Sequence, residues 1–238
     1  MVRPALMAAA GYTGGRQAGD LITYTIKEPV YDPAELRQAL DFFLECSGSL
    51  GRQEMYQQDL IDFTKHYLGD VATRLQILAL RAYQNQDLAS LERHAAAFLE
   101  LLTELDRLLA ARPRFRLSTH LAAARRWGKT RAEKNLYERN LRRLLTTWGG
   151  HNLDSYAYKE WSGLLSGFYR ERWRMFFERA RNALRSRDFF DSAGWNAFIE
   201  NWEERWIMEL KPIREPKAQP VAAMVRKLLA KYRDFPQR

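Results

Sequence analysis

Apolar residues recur at helical spacing along most of the chain, three or four positions apart, and rarely alternate in the two-residue period of a strand. The first clear helix start is Asp32-Pro33-Ala34-Glu35: Asp32 can cap, Pro33 suits the first helical position, and Glu35 can reach back as in a capping box. Leu36, Leu40, Phe43 and Leu44 form its stripe, which Gly48 and Gly51 end. A long helix follows from about 52 to 84, carrying Met55, Leu60, Phe63, Tyr67, Leu68, Val71, Leu75, Leu78 and Tyr83. Asp87 opens the next, which buries Leu91, Ala95, Phe98, Leu102, Leu105 and Leu109 and ends before Pro113. A shorter helix covers about 118 to 127, stopped by Gly128. Thr130 and Glu133 form a second capping box, and the helix they open runs through Leu136, Tyr137, Leu141, Leu144 and Leu145. After a Gly-containing loop, helix continues to about Arg187, bent near Gly163 or Gly167. Asp191 or Ser192 starts another through Trp195, Phe198, Ile199, Trp202, Trp206 and Met208, and a Pro-rich loop leads to a last helix from Val221 to Tyr232. The pattern predicts an all-α fold, a multi-helix bundle of eight or nine helices. Residues 1–31 are different. Gly11, Gly14, Gly15 and Gly19 oppose helix, and only Leu21 to Ile26 alternates as a short extended segment would, so this region reads as an irregular linker or a remnant of something upstream.

The chain has 238 residues, 46% of them hydrophobic, enough for one large helical domain with a sizeable core. A net charge of +9 admits nucleic acid, an anionic membrane surface or an acidic polysaccharide as partners. The basic residues are interleaved with acids, as in Arg170-Glu171-Arg172 and Glu203-Glu204-Arg205, which is the pattern of a solvated helix face. Arg139, Arg142 and Arg143 make a similar basic face, better explained by solvation or pairing than by phosphate binding. Cys46 is the only cysteine, so no disulfide forms within the chain. No apolar run approaches the roughly 20 residues that cross a bilayer, and the short apolar patch in the first fifteen residues is too interrupted and weak for a signal peptide.

Candidate chemistry concentrates between Thr146 and Arg174, the densest cluster of aromatic and special-backbone residues. Trp148 precedes Gly149 and Gly150; Asn152, Leu153 and Asp154 lead out of the loop; Tyr156, Trp161, Leu164, Leu165, Phe168 and Trp173 follow. Rings that flank a short loop suit stacking on the apolar face of a ligand, and they equally suit capping a helix junction and filling core. Elsewhere the signals are thin. Asp59 and Asp62 lie three apart on the long helix, yet acid–base or metal chemistry needs a third group, and a surface pair is the commoner arrangement. His66, His94, His120 and His151 are scattered, and phosphate-binding, dinucleotide, CxxC and HExxH motifs are absent. Catalytic residues, a metal site and a cofactor are therefore not expected in this chain.

Read as a whole, the stretch resembles the C-terminal helical domain of the α-N-acetylglucosaminidases, glycoside hydrolase family 89. The matching positions are Leu145, Thr147, Trp148 and Gly149, then Tyr156, Ala157, Lys159, Trp161, Gly163 and Leu164, then Tyr169, Arg172 and Trp173. Tyr56, Asp59, Leu60, Asp62 and Thr64, and the segment 99–115, resemble two further stretches of that family, so the likeness covers about 31 to 235. The resemblance implies that residues 32–238 are this helical domain, and that Arg3-Pro4-Ala5-Leu6 resembles the point where an upstream (β/α)-barrel ends. It implies that Trp148 and Tyr156, with Leu153 as an apolar contact, face terminal α-linked N-acetylglucosamine. Ser155 stands where an aspartate commonly precedes the tyrosine, and the loop is short compared with some relatives. Family members cleave with retention, using two glutamates on the barrel, a chemistry that needs a nucleophile and an acid/base. Those glutamates are not in this chain, which implies a partner barrel in cis or in trans and no activity without it. Membrane and nucleic acid are not expected partners, and family members are usually lysosomal, periplasmic or secreted. The reading left beside it is a stand-alone basic helical module that binds an acidic glycan, nucleic acid or a protein.

Overall fold

A computed structural model describes residues 32–148 and 159–233, and among these residues the protein is all helix without a strand. The elements are α1 (Pro33–Glu45), α2 (Ser47–Leu50), α3 (Glu54–Gln84), α4 (Leu88–Leu109), a 3-10 turn (Pro113–Phe115), α5 (Leu117–Arg125), α6 (Arg131–Leu145), a π-helical turn (Leu165–Tyr169), α7 (Arg170–Ser186), α8 (Ser192–Glu209) and α9 (Val221–Lys231). The predicted starts are met by their caps. Asp32 accepts from the Ala34 amide, Asp87 from Ser90 and Asp191 from Gly194, and Thr130 and Glu133 form a complete capping box. One detail differs from the pattern: Ser47–Leu50, which include Gly48, coil into the single turn of α2 before Gly51.

The 31-residue α3 is the centre of the bundle. It is joined to α4 by a tight turn in which Gln86 takes a left-handed φ of 56°, and the two helices pack side by side along their length. Leu60, Ile61, Leu68 and Ala72 of α3 and Phe98, Leu101, Leu102 and Leu105 of α4 are sealed from solvent. Against α4 lies α7, whose Trp173 meets Phe98 edge-on at 5.1 Å between ring centres and whose Phe176 packs on Trp195 of α8 at 5.6 Å. The last helix, α9, closes the other flank, where Tyr67 donates to the Tyr232 carbonyl (2.9 Å) and Tyr232 to Glu104 (2.7 Å). Many surface cations sit in ion pairs, such as Arg174 with Glu171 and Glu178, Arg185 with Glu92, and Lys231 with Glu100 and Glu104. No helix among the described residues is long and apolar enough to cross a membrane.

The apolar pattern departs from the core at Met55 and Phe63 of α3, at Met208 of α8 and most of all in α6. Of the stripe Leu136, Tyr137, Leu141, Leu144 and Leu145, only Leu145 is buried and Leu141 half-buried. The buried face instead carries Glu138 and Arg142, the latter 1% exposed. The cause is the end of α8. Its last carbonyls have no partner within the helix, and a cation at a helix C-terminus can satisfy them. Arg142 donates to the carbonyls of Trp206 (3.4 Å) and Lys211 (2.8 Å), lies over the Trp206 ring at 4.7 Å, and pairs with Glu138 at 2.7 Å. Arg125 of α5 binds the other oxygen of Glu138, also at 2.7 Å. The three arginines read as one basic face are thus divided: Arg142 is interior, while Arg143 is paired with Glu204 at 2.6 Å and Arg139 donates to the Met208 carbonyl.

Removing this buried cation is expected to be costly. Arg142→Met leaves carbonyls at the end of α8 without their donor and Glu138 short of a partner, a loss of about 3 kcal/mol, or a drop of roughly 6–12 °C in Tm for a chain of this size. Thermal melts followed by circular dichroism should show that drop, with partial recovery on adding Glu138→Leu.

Candidate functional site

Of the three residues predicted to face a ligand, Trp148 lies three positions beyond the end of α6 and is 41% exposed. Leu153 and Tyr156 lie outside the described residues, as do His151 and the Gly149-Gly150 pair. The described geometry is that of the two chain ends between which the loop 149–158 runs. Trp148 differs from the fully buried tryptophans of the bundle, Trp173 and Trp195, in keeping a large part of its ring at the surface.

The upstream end is held from inside. Thr146 donates to the Arg142 carbonyl (2.7 Å), closing the last turn of α6, and the buried Tyr169 hydroxyl donates to the Leu145 carbonyl (3.1 Å). Tyr169 belongs to the π-helical turn that leads into α7, so the far side of the loop pins the near side.

The downstream end is held by four separate contacts. Ser162 pairs with the backbone after the 3-10 turn: its amide donates to the Phe115 carbonyl (2.7 Å), and the Leu117 amide donates to the Ser162 carbonyl (3.0 Å). Asp106, reaching across from α4, accepts from the amides of Gly163 (2.7 Å) and Ser166 (3.1 Å) and from the Ser162 hydroxyl (3.2 Å). This carboxylate caps a helix from outside its own segment, at the end where the helix dipole favours negative charge. Burial raises its pKa above the usual carboxylate range, against the pull of those amide hydrogen bonds. Gly163 sits at φ 84°, where a side chain is strained, and a Cβ there would collide with Ile213. Trp161 stacks flat on His120, ring centres 3.6 Å apart and planes 7° off parallel. His120 Nε2 donates to the Arg114 carbonyl at 2.9 Å, since a carbonyl oxygen only accepts.

The fourth contact is ionic. Lys65 of α3 pairs with Asp62 (2.7 Å) and with Glu160 (3.2 Å), and lies 5.7 Å from the Phe115 ring centre. Burial raises the Glu160 pKa, and the nearby Asp62 charge adds to it, while Lys65 opposes the rise. Burial alone would lower Lys65, but the two carboxylates outweigh it and hold its ammonium above the usual lysine value. Asp62 is therefore committed to an ion pair, whereas Asp59 is exposed. Among the described residues no three His, Cys, Asp or Glu side chains gather as metal ligands.

Trp148 was legible from sequence as a candidate; the anchors were not. Asp106 carried the strongest signal, since it shares a helix face with Leu102 and Leu109 inside an otherwise apolar stripe. Lys65–Glu160 and His120–Trp161 join residues 95 and 41 positions apart, and no local pattern marks such a pair.

The chain matches the family described as "Alpha-N-acetylglucosaminidase (NAGLU) C-terminal domain" over residues 2–231. It is 28% identical over 204 residues to human α-N-acetylglucosaminidase, an alignment that takes in 85% of this chain and 28% of that protein. Among solved structures it is similar to a family 89 glycoside hydrolase from Clostridium perfringens. One form, with two glutamate-to-glutamine substitutions and bound to its substrate GlcNAc-α-1,4-galactose, superposes with a TM-score of 0.80 at 22% identity, covering 98% of this chain and 27% of that one. Another, in complex with 2-acetamido-1,2-dideoxynojirmycin, gives 0.75 at 24% identity over 87% and 24%. The chain thus spans about a quarter of the length of these relatives.

Two substitutions test the anchors. Lys65→Met strands Glu160 in a buried setting and should cost about 3 kcal/mol at neutral pH. Its pKa rises further without the ammonium, so the folded state binds a proton more tightly than the unfolded state, and stability falls as pH climbs from the ordinary 4.5 through the raised value. Urea unfolding should accordingly show a smaller deficit at pH 4.5 than at pH 7.5, and Glu160→Gln should remove that pH dependence. Gly163→Ala, which forces a Cβ into a left-handed backbone and against Ile213, is expected to lose about 2–3 kcal/mol in the same assay.

Proposed function

The chain belongs to the α-N-acetylglucosaminidase C-terminal domain family, and we propose that it forms one wall of a pocket for terminal α-linked N-acetylglucosamine, completed by a catalytic domain in cis or in trans. Trp148 supplies a stacking surface for the apolar face of the sugar, Tyr156 a second ring with a hydroxyl for its edge, and Leu153 an apolar contact between them. The observation that carries this reading is the half-exposed ring of Trp148 just past the anchored end of α6. The wall is passive in the chemistry. Retaining hydrolysis needs two carboxyl groups about 5 Å apart on either side of one bond, and both are assigned to the catalytic domain. Of the acids here, Asp62, Glu160 and Asp106 are each tied into the scaffold by a lysine or by backbone amides. What the helical domain contributes is position. A ring carried on an anchored helix end selects a sugar face and excludes water, because less binding energy is spent on ordering that end.

The test is turnover of an aryl α-N-acetylglucosaminide. The 238-residue chain alone should give none, and the chain joined to a family 89 catalytic domain should give turnover. In the joined enzyme, Trp148→Ala and Tyr156→Ala should each lower kcat/KM by about tenfold or more, the equivalent of about 1.4 kcal/mol of lost stacking, and Trp148→Phe should restore part of it. Turnover by the isolated chain, or a Trp148→Ala enzyme with unchanged kcat/KM, would overturn the reading.

A further inference from the structure

The turn between α5 and α6 gathers cations that acids do not match. Residues 126–134 read Arg-Trp-Gly-Lys-Thr-Arg-Ala-Glu-Lys, four cations against one carboxylate. Among the described residues Arg126, Lys129, Arg131 and Lys134 form no ion pair, whereas Arg125, one step earlier, is held by Glu138 at 2.7 Å. The one acid, Glu133, is turned to the backbone: its Oε2 accepts from the amides of Lys129 (2.7 Å) and Thr130 (2.9 Å). Trp127, in the middle, is 80% exposed, about twice as much as Trp148. Of residues 126–133 only Gly128 is buried, so the turn is a convex tip. Gly128 keeps it tight: a Cβ there would collide with the backbone of Glu133 and Lys134, and glycine lets the end of α5 close onto the first turn of α6. The base is stiffened by the capping box of Thr130 and Glu133 and by Arg125, which also donates to Asn135 (3.0 Å). We propose that this tip docks the protein on an anionic lipid surface, with Trp127 in the headgroup layer and the four cations meeting lipid phosphates and carboxylates.

Charge and shape together select the partner. A sugar edge needs acceptors as well as donors, and the tip offers mainly donors, since the Thr130 hydroxyl serves the Glu133 amide (3.2 Å) and Glu133 Oε2 serves the backbone. Single-stranded nucleic acid stacks successive bases on several rings along a basic groove, and the tip is convex with one ring. A bilayer surface asks for neither groove nor acceptor. An indole is favoured at the boundary of water and hydrocarbon, where its body is apolar and its N–H stays wet. Each Lys or Arg near an anionic leaflet strengthens binding about fivefold. Phe189, the other strongly exposed ring, has two acids and one cation beside it in Arg187, Asp188 and Asp191, and so lacks a positive collar. The lipid partner departs from the expectation drawn from the family likeness. It also leaves the sugar wall clear: α6 separates the tip from Trp148 by about 21 Å at the helical rise, so the two readings stand or fall separately.

Cosedimentation of the 238-residue chain with lipid vesicles tests the tip. The chain should bind vesicles of phosphatidylcholine containing roughly one third phosphatidylserine, should not bind phosphatidylcholine alone, and should bind less as salt rises. Arg126→Gln/Lys129→Gln should weaken binding about 25-fold, fivefold for each cation. Lys217→Gln/Lys227→Gln, which removes two exposed cations elsewhere, should change it by less than about twofold. Brominated acyl chains in the same vesicles should quench the tryptophan emission of the chain, and Trp127→Phe should abolish that quench. Because these side chains are exposed, the Tm of each variant should match that of the parent chain. Absence of binding to the mixed vesicles would overturn the proposal. So would equal losses in the two double variants, which assign the binding to net charge, and a quench that survives Trp127→Phe, which puts another ring in the lipid. A heparin oligosaccharide or a DNA duplex that binds more tightly than the vesicles, and is released by Trp127→Ala, assigns the tip to that polymer instead. A Tm lowered by Trp127→Phe shows that the ring packs on the bundle and counts against the tip; a Tm lowered in the charge variant alone leaves the quench to decide.

Discussion

A single buried carboxylate sets the geometry on which the second half of the bundle depends. Asp106 takes three donors, the amides of Gly163 and Ser166 and the Ser162 hydroxyl, from the start of the π-helical turn that leads into α7. A buried charge is unfavourable unless its lone pairs are filled, and here the amides at a helix start both fill them and supply the favourable end of a dipole. Once that entry is fixed, the π-helical turn after it presents Phe168 and Tyr169 to the interior side by side, and α7 delivers Trp173, Phe176 and Phe177 to the rings of α4 and α8. Tyr169 then reaches back to Leu145, so the register of α7 also sets the end of α6.

The two ends of the loop 149–158 are consequently parts of one framework. Upstream stand Arg142 and Thr146, tied to α8 and to the last turn of α6; downstream stand Glu160, Trp161, Ser162 and Gly163, tied to α3, α5, the 3-10 turn and α4. Polar interactions carry most of this anchoring, because helix ends expose backbone groups that apolar packing cannot satisfy. Such a scaffold orders both approaches to the loop.

The same polar economy has a consequence at the surface. With Arg142 and Glu138 on the inner face of α6, Leu136 and Leu144 of that helix turn outward. The interleaving of acids with bases tells a related story: Arg143, Arg174, Arg185 and Lys231 are spent in ion pairs, so the surplus positive charge does not act as one undivided binding face.

Helix positions were legible because they depend on local rules. Asp32, Asp87, Thr130 and Asp191 begin helices by capping their own first turns, and α3, α4 and α7 announce their buried faces by 3.6-residue spacing. The bend near Gly163 and Gly167 was likewise readable, and it became a left-handed glycine followed by a π-turn. Trp148 stood out as a candidate by its place between a helix and two glycines. Periodicity located α6 but not its buried face, since the pattern of Leu136, Tyr137 and Leu144 does not show that carbonyls at the end of α8 lie alongside to claim Arg142. Asp106, the Lys65–Glu160 pair and the Trp161–His120 stack were decided only by the tertiary fold. Each joins residues tens of positions apart, and the value of a buried charge is set by the partner that folding brings to it.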